Sequence, residues 1–165
     1  FQVEVQTKKG KSEKEYFFND LVFSKNEIAR MFTLSIEGNT QHIYNLTGDG
    51  LIISSTYGST AYSLAAGGPI VHPDVSALIL TPICAHSLTH RPMVIPESFE
   101  LSIELLDKET EISITLDGQV AIHINHGDKV FVRKRNKKNV CLINNPERTY
   151  FHTLKEKFVH GRKTI

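Results

Sequence analysis

The sequence predicts an all-β fold, an antiparallel β-sandwich-like domain with a short helix after its GSTAY segment and a second helix at the C-terminus. Three observations lead there. Apolar and polar residues alternate with a period of two in segment after segment, the pattern of strands with one buried and one wetted face. The segments recur at short, regular spacing, punctuated by Gly, Asn and Asp. No long helical period intervenes, which argues for an antiparallel sandwich or closed sheet.

The elements follow in order. Phe1, Val3 and Val5 share one strand face, and the basic stretch 8–14 reads as a turn. Residues 16–24 form a second apolar run, interrupted by the polar pair Asn19 and Asp20. Segment 31–37 sets Phe32, Leu34 and Ile36 against Met31, Thr33 and Ser35, then closes on Gly38 and Asn39. Strands at 41–46 and 51–55 flank Gly48, Asp49 and Gly50. Further strands are expected at 77–81, 99–106, 111–116, 120–125, 129–135 and 139–144. Two joints read as hairpins: the Gly-containing turn 125–128 and the polar stretch 107–110. Residues 60–66 are small and Ala-rich and stop at Gly67, Gly68 and Pro69, the pattern of a short helix. After Asn145 and Pro146, segment 149–158 places Phe151, Leu154 and Phe158 at helical spacing, so a helix ends the chain.

At 165 residues the chain fits one domain, taken as 1–165, long enough to bury a core without disulfides. Its 40% hydrophobic and 22% charged residues are ordinary for a soluble protein. A net charge of +1 gives no argument for a nucleic-acid or membrane partner, and neither is expected. The basic clusters 8–14 and 133–138 fall where turns are expected and read as solvated hairpin tips. Cys84 and Cys141 stand far apart among apolar neighbours, which reads as two buried, reduced thiols in a cytoplasmic protein. No apolar run reaches the length of a membrane span, and no signal peptide is visible. Without an initiator Met, and with residues 1–7 already alternating, the chain reads as a piece of a longer protein.

The densest stretch is 48–73, GDGLIISSTYGSTAYSLAAGGPIVHP. A strand delivers the chain into a run of hydroxyls and glycine that opens a short helix, where free backbone N–H groups suit an anionic or polar ligand. Tyr62 offers a flat ring face. From composition alone the plainer reading is preferred, a Ser/Thr-rich loop capping a helix. Elsewhere, His86 and His90 stand four apart, but no third ligand is near and Pro92 limits a helix, so no metal site is assigned. Ser59 lacks both the Gly-x-Ser-x-Gly elbow and an assignable partner set, which leaves no case for a hydrolase. Asp117 and Gly118 read as an ordinary hairpin turn. Asn19 and Asp20, which break an apolar run, mark a bulge or a site.

Stretch 48–73 resembles the hallmark of the NAD kinase family, in which a DG pair leads by strand into TPTGSTAY and a GGP turn. The likeness continues in LTPICAHSL at 80–88, in Arg91 and Pro92, in Val94, Ile95 and Pro96, in LDGQ at 116–119, and in YFHTLKEK at 150–157. Upstream, FNDLV at 18–22 and EIARM at 27–31 resemble the family's Asn-Asp/Glu pair and the strand entry after it. The resemblance runs in order over nearly the whole chain.

It implies the C-terminal, NAD-binding part of an NAD kinase. Such an enzyme transfers phosphate from ATP or polyphosphate to the adenosine ribose 2′-hydroxyl, giving NADP. A divalent metal (Mg) would accompany the donor phosphates, and positioning and charge neutralisation would carry the catalysis. A homodimer or homotetramer with a site shared between subunits is also implied. By resemblance, Asn19 reads the adenine edge, which suits an amide with both donor and acceptor. Asp20 takes ribose hydroxyls. Arg30 matches a basic binding position that meets a phosphate or orients acids. Asp49 lies near the second ribose or the carboxamide. Thr60, Ala61, Tyr62, Ser63, Leu64 and Ala65 match the segment wrapped around the nucleotide, with Tyr62 packed on the ligand, and Gln119 matches the glutamine of the DGQ motif.

The chain departs from the pattern at several points. Thr47 occupies a binding position often held by arginine, and Ala65 one often held by serine. Ser55, Thr56 and Tyr57 replace the usual Thr-Pro-Thr. The family's GGDG loop, whose aspartate is taken as general base, does not occur in this sequence, so no catalytic residue is assigned. The alternatives are a non-catalytic nucleotide-binding or regulatory module and, more remotely, a lipid or diacylglycerol kinase.

Overall fold

The computed structural model describes residues 1–25, 31–135, 140–143 and 145–160. It divides into one unit over Phe1–Arg135 and another over Asn136–Ile165. The first unit holds twelve described strands: β1 (Gln2–Gln6), β2 (Ser12–Tyr16), β3 (Asp20–Lys25), β4 (Phe32–Gly38), β5 (Gln41–Gly48), β6 (Gly50–Ser55), β7 (Ala77–Ile83), β8 (Met93–Pro96), β9 (Leu101–Leu105), β10 (Ile112–Leu116), β11 (Val120–Ile124) and β12 (Lys129–Arg133). A 3-10 turn (Gly58–Thr60) and the short helix α1 (Tyr62–Ala65) follow β6.

The strands form two six-stranded sheets, ordered β2-β1-β12-β9-β4-β5 and β11-β10-β3-β6-β7-β8, with antiparallel pairing throughout. The alternation in the sequence explains the arrangement. Val3 and Val5, Phe32, Leu34 and Ile36, Ile103, and Val130 and Val132 line the inner face of the first sheet. Leu21 and Phe23, Leu51 and Ile53, Leu78 and Leu80, and Ile112 and Ile114 line that of the second, and the two sets merge into one core. Each such apolar side chain, fully removed from water, stabilises by about 1.5–3 kcal/mol.

The second sheet is also covered on part of its outer face. Ile52, Ser54, Ile79 and Thr81 have the opposite phase to the core residues, yet none is exposed. The 3-10 turn and α1 pack on β6 there. This accounts for β6 being buried along its whole length.

Several sequence expectations change. The joints 107–110 and 125–128 are not hairpins. β9 and β12 belong to the first sheet and β10 and β11 to the second, so both joints cross the sandwich. Turn chemistry reverses the chain locally, and the bond from the Asp128 N–H to the Asn125 carbonyl (3.0 Å) forms as expected with Gly127 at φ +88°. Which sheet receives the next strand is a non-local matter. The stretch 8–14 turns only as far as Lys11, whose carbonyl accepts the Thr7 N–H at 2.8 Å, and Ser12 already begins β2. Residues 140–143 of the expected strand 139–144 join no ladder, and Ile143 is 96% exposed; residues 139 and 144 lie outside the described residues. Both thiols, expected to be buried, are exposed. Cys84 turns out of the sandwich at φ +45° where β7 ends, and Cys141 sits in the irregular 140–143 stretch.

In the second unit α2 spans Tyr150–His160, close to the expected 149–158. The Thr149 hydroxyl accepts the His152 N–H at 3.2 Å and so caps its first turn. Among the described residues no helix is long and apolar enough to cross a membrane.

Candidate functional site

The site is built around the crossing from β2 to β3, residues 17–19. Phe17 anchors the crossing in the core and stacks on Phe1, with ring centroids 5.5 Å apart. Beyond it the chain passes from one sheet to the other, and three successive backbone N–H groups point at one carboxylate. Phe18 donates to Asp117 Oδ2 at 2.7 Å, while Asn19 and Asp20 donate to Oδ1 at 2.7 and 3.0 Å. An ionised carboxylate has lone pairs enough for all three, and such charge-assisted bonds are the strong kind.

Asp117 reaches the crossing because it opens the β10–β11 hairpin with Gly118, at φ +49° and +68°. Two positive φ values in a row define the primed turn that suits twisted strands, and Asp-Gly adopts it readily. The Gln119 N–H closes that turn on the Leu116 carbonyl at 2.9 Å. Asp117 also returns a bond, its own N–H donating to the Asp20 carbonyl at 2.9 Å.

The other side of the crossing is held by residues just before the GSTAY segment and at its start. The Ser55 N–H donates to the Asn19 carbonyl at 2.9 Å, and the Ser55 hydroxyl donates to the Phe18 carbonyl at 2.6 Å. Ser55 Oγ in turn accepts the Gly58 N–H at 3.1 Å. Gly58 lies so close that a Cβ there would stand 2.0 Å from the Asn19 oxygen, which explains why this position lacks a side chain.

Held in this way, Asn19 and Asp20 open on a cleft of about 490 Å³. Val22, Ser24 and Thr115, the outward residues of β3 and β10, form its floor. Ala61 and Tyr62 rise on one side, and Asp117 and Gly118 on the other. Tyr62 is half exposed. Asp20 is almost fully covered, and burial together with the Asp117 charge lifts its carboxyl above the ordinary 3.8, opposed by a hydrogen bond from the Tyr62 backbone. The cleft lining thus offers an amide, carboxylates, hydroxyls and an aromatic face, and among the described residues it contains no Lys, Arg or His.

The remaining predicted residues fall elsewhere. Ser63 and Ser59 point inward and are fully buried. Ser63 Oγ bonds Thr81 Oγ1 at 2.8 Å. Ser59 Oγ donates to the Thr56 carbonyl at 2.6 Å and accepts the Val71 N–H at 3.2 Å, so its hydroxyl is spent on the backbone. Thr60, Leu64 and Ala65 keep some exposure in the same segment without lining the cleft, and Gln119 lies exposed beside the hairpin. Thr47 belongs to β5 of the first sheet, where its hydroxyl pairs with that of Thr33 at 3.0 Å. Asp49 sits on the crossing from β5 to β6, and Lys25 Nζ bonds its Oδ1 at 2.8 Å. That pair stands at the far end of β3, five residues or roughly 16 Å along the strand from Asp20. Arg30 lies outside the described residues. His86 and His90 occupy a turn, not a helix, and the His90 ring packs 5.1 Å from that of Tyr44. Among the described residues no three His, Cys, Asp or Glu side chains gather as metal ligands.

Sequence reasoning missed the cleft floor, the Asp117 clamp and Lys25. The floor could have been found from the outward phase of β3 and β10, where Ser24 and Thr115 alternate with the apolar core residues Phe23, Ile114 and Leu116. The clamp spans nearly a hundred residues and leaves no local signal beyond the Asp-Gly turn.

The family described as the ATP-NAD kinase C-terminal domain matches residues 18–144. An NAD kinase of Magnetococcus marinus is 35% identical over 161 residues, which are 98% of this chain and 52% of the relative. An NAD kinase of Aquifex aeolicus is 40% identical over 146 residues, 88% of this chain and 53% of the relative. The chain therefore spans about half the length of the curated relatives it matches. Among solved structures, the yeast NADH kinase complexed with NADH superimposes with a TM-score of 0.75 at 30% identity, covering 82% of this chain and 40% of that one. An NAD kinase from Archaeoglobus fulgidus in complex with ATP gives 0.66 at 20% identity over 81% and 50%, a likeness of fold. The family match begins at the β2–β3 crossing and takes in every residue that lines the cleft, and on that ground the chain belongs to the ATP-NAD kinase C-terminal domain family.

Proposed function

We propose that the cleft receives the adenosine end of NAD, and that the protein carrying this chain phosphorylates the ribose 2′-hydroxyl there to make NADP. One observation carries the reading: Asn19 and Asp20 are locked side by side by Asp117 and open, with Tyr62, on a cleft whose described lining holds no cation. A nucleoside needs what such a lining provides. The Asn19 amide offers donor and acceptor to a base edge, the Asp20 carboxylate accepts ribose hydroxyls, and Tyr62 gives a ring a surface. Phosphates favour cations, and the described lining holds none. Relatives named NAD kinase, and NADH in the yeast structure, support the same substrate class.

In this reading the chain binds and orients the acceptor, and no general base is assigned to it. Thr60, Ala61, Leu64 and Ala65 form the rim around the nucleotide, while Ser63 supports that rim from within. Thr47, Asp49 and Gln119 lie outside the cleft, and a homodimer or homotetramer with a shared site would bring them to a neighbour's nucleotide. Arg30 is read as a phosphate contact. The donor is ATP or polyphosphate, and the divalent ion (Mg) arrives on its phosphates, so no step passes through a protein-held metal. Two exposed thiols that form no disulfide suit a cytoplasmic protein.

Calorimetric titration with NAD and NADP tests the reading. Saturable binding is expected, and Asn19→Ala with Asp20→Ala should remove about 2–4 kcal/mol, on the order of 30- to 1,000-fold in Kd. A folded double variant that binds as the parent does would overturn the reading.

A further inference from the structure

We infer that Asp117 is a positioning residue for this cleft: by accepting the backbone N–H groups of Phe18, Asn19 and Asp20, its carboxylate sets where the two ligand-facing side chains stand. The inference rests on the nucleotide-binding reading but concerns a residue to which that reading gives no contact.

The geometry is specific. Regular strand pairing ends at the crossing from β2 to β3, and three consecutive donors there need one concentrated acceptor. Asp117 is the acceptor, and it arrives from a hairpin whose register is independently fixed by β10 pairing with both β11 and β3. The return bond from the Asp117 N–H to the Asp20 carbonyl makes the contact reciprocal. A crossing tied on both sides has little freedom left, which is the preorganisation a binding site needs.

The charge of Asp117 is a second handle on the cleft. Asp20 faces the Asp117 carboxylate from the hairpin, the Tyr62 backbone N–H from α1, and uncharged Ser54 across the β3–β6 ladder. Asp117 therefore opposes ionisation of Asp20, and its removal should make Asp20 more acidic.

Asp117→Asn is the informative variant. Asparagine, like the aspartate it replaces, tolerates the left-handed conformation of this turn, so the hairpin should survive. Its amide can still accept two of the bonds, but its NH2 group then faces the Phe18 N–H, donor against donor. Asp128→Asn is the matched control. Asp128 is another buried turn aspartate, accepting the Lys8 and Asn125 N–H groups at 2.9 and 3.0 Å, at the opposite end of β11 from Asp117.

Both variants should melt at lower temperature, so melting alone decides nothing. In Asp117→Asn, amide exchange at Asn19 and Asp20 should quicken by about ten- to a hundred-fold, with NAD binding weakened by a similar factor. The Asp20 carboxyl carbon, followed by 13C NMR, should titrate at lower pH than in the parent. Asp128→Asn should leave all three as they are. If Asp117→Asn leaves the exchange of Asn19 and Asp20 and the titration of Asp20 unchanged, or if Asp128→Asn moves them equally, the inference fails. A parent protein that does not bind NAD would sink the nucleotide reading instead, while the exchange and titration measurements would still decide the role of Asp117.

Discussion

Gly58→Ala is the substitution whose consequences follow most directly from the structure. A Cβ built at position 58 stands 2.0 Å from the Asn19 carbonyl oxygen, 2.5 Å from its carbon and 2.8 Å from its Cα. Real Cβ atoms essentially never approach closer than 3.0 Å, so about 1 Å of separation must be found. Every atom in the way is backbone, and no side-chain rotation can relieve it. The Asn19 backbone is also the piece tied to Asp117 on one side and to the Ser55 N–H on the other. Overpacking costs typically 1–3 kcal/mol, and weakening one or two hydrogen bonds adds about 1 kcal/mol each, so a loss near 3 kcal/mol is expected. At roughly 2–4 °C per kcal/mol for a chain of this size, melting should fall by about 6–12 °C.

Gly67→Ala provides the comparison. Gly67 has φ +86° but nothing within 4 Å of its Cβ position, so alanine there meets backbone strain alone, about 1–2 kcal/mol. Thermal unfolding of both variants, with amide shifts of Asn19 and Asp20 as a local probe, separates the two causes. Gly58→Ala should move those shifts and weaken NAD binding; Gly67→Ala should do neither. A Gly58→Ala protein that melts within about 2 °C of the parent, with those amides unmoved, would show that the close approach is misread.

Three further outcomes are expected. Asp20 holds its proton more tightly folded than unfolded, so its contribution is complete below the ordinary 3.8 and declines as pH rises through the raised value; Asp20→Asn should abolish that decline and melt higher than the parent at neutral pH, as stability curves taken across this range will show. Tyr44 has its hydroxyl buried with no hydrogen-bond partner among the described residues, and burial pushes its phenol up to about 12; Tyr44→Phe should be neutral or stabilise by about 1 kcal/mol in denaturant unfolding, because an unsatisfied polar group is removed. Ser63→Ala orphans the buried Thr81 hydroxyl and should cost about 1–3 kcal/mol, whereas adding Thr81→Val should recover part of that loss in a double-mutant cycle.

Much of this fold could be read in the sequence because a sandwich leaves a period-two record wherever one face is buried. Phe32, Leu34 and Ile36 announce β4 without ambiguity, and Asn19 and Asp20 stand out because they break the run that would otherwise join β2 to β3. What could not be read is non-local. The turns at 107–110 and 125–128 look like hairpins because a turn records only that the chain reverses, and nothing in four residues says which sheet comes next. Ser59 and Ser63 share their chemistry with Thr60, so composition could not tell the hydroxyls that brace the segment from the positions that open outward. Cys84 follows apolar neighbours in sequence, yet those neighbours end a strand and the chain turns out at that point. The Asp117 clamp is the extreme case, since its donors lie nearly a hundred residues away.

The position of the cleft follows from the same physics. The inner faces of both sheets are consumed by the shared core, so a ligand must use an outer face or an end. An outer sheet face is nearly flat, and a cleft forms only where something rises on either side of it. Here the rise is α1 on one flank and the Asp117–Gly118 hairpin on the other, with Val22, Ser24 and Thr115 between them as floor. Neither flank is long enough to be rigid alone: α1 has four residues and the hairpin turns on two. α1 is braced on β6 and by the Ser63–Thr81 bond, the hairpin by β10 pairing with β11 and β3, and both meet the β2–β3 crossing, Asp117 gripping it from one side and Ser55 and Gly58 from the other. The side chains that face the ligand therefore stand where regular pairing stops, and their order is supplied by residues that need not touch the ligand. Substitutions at the grip should change affinity and stability together, while substitutions on the floor should reshape the cleft and leave the sandwich intact.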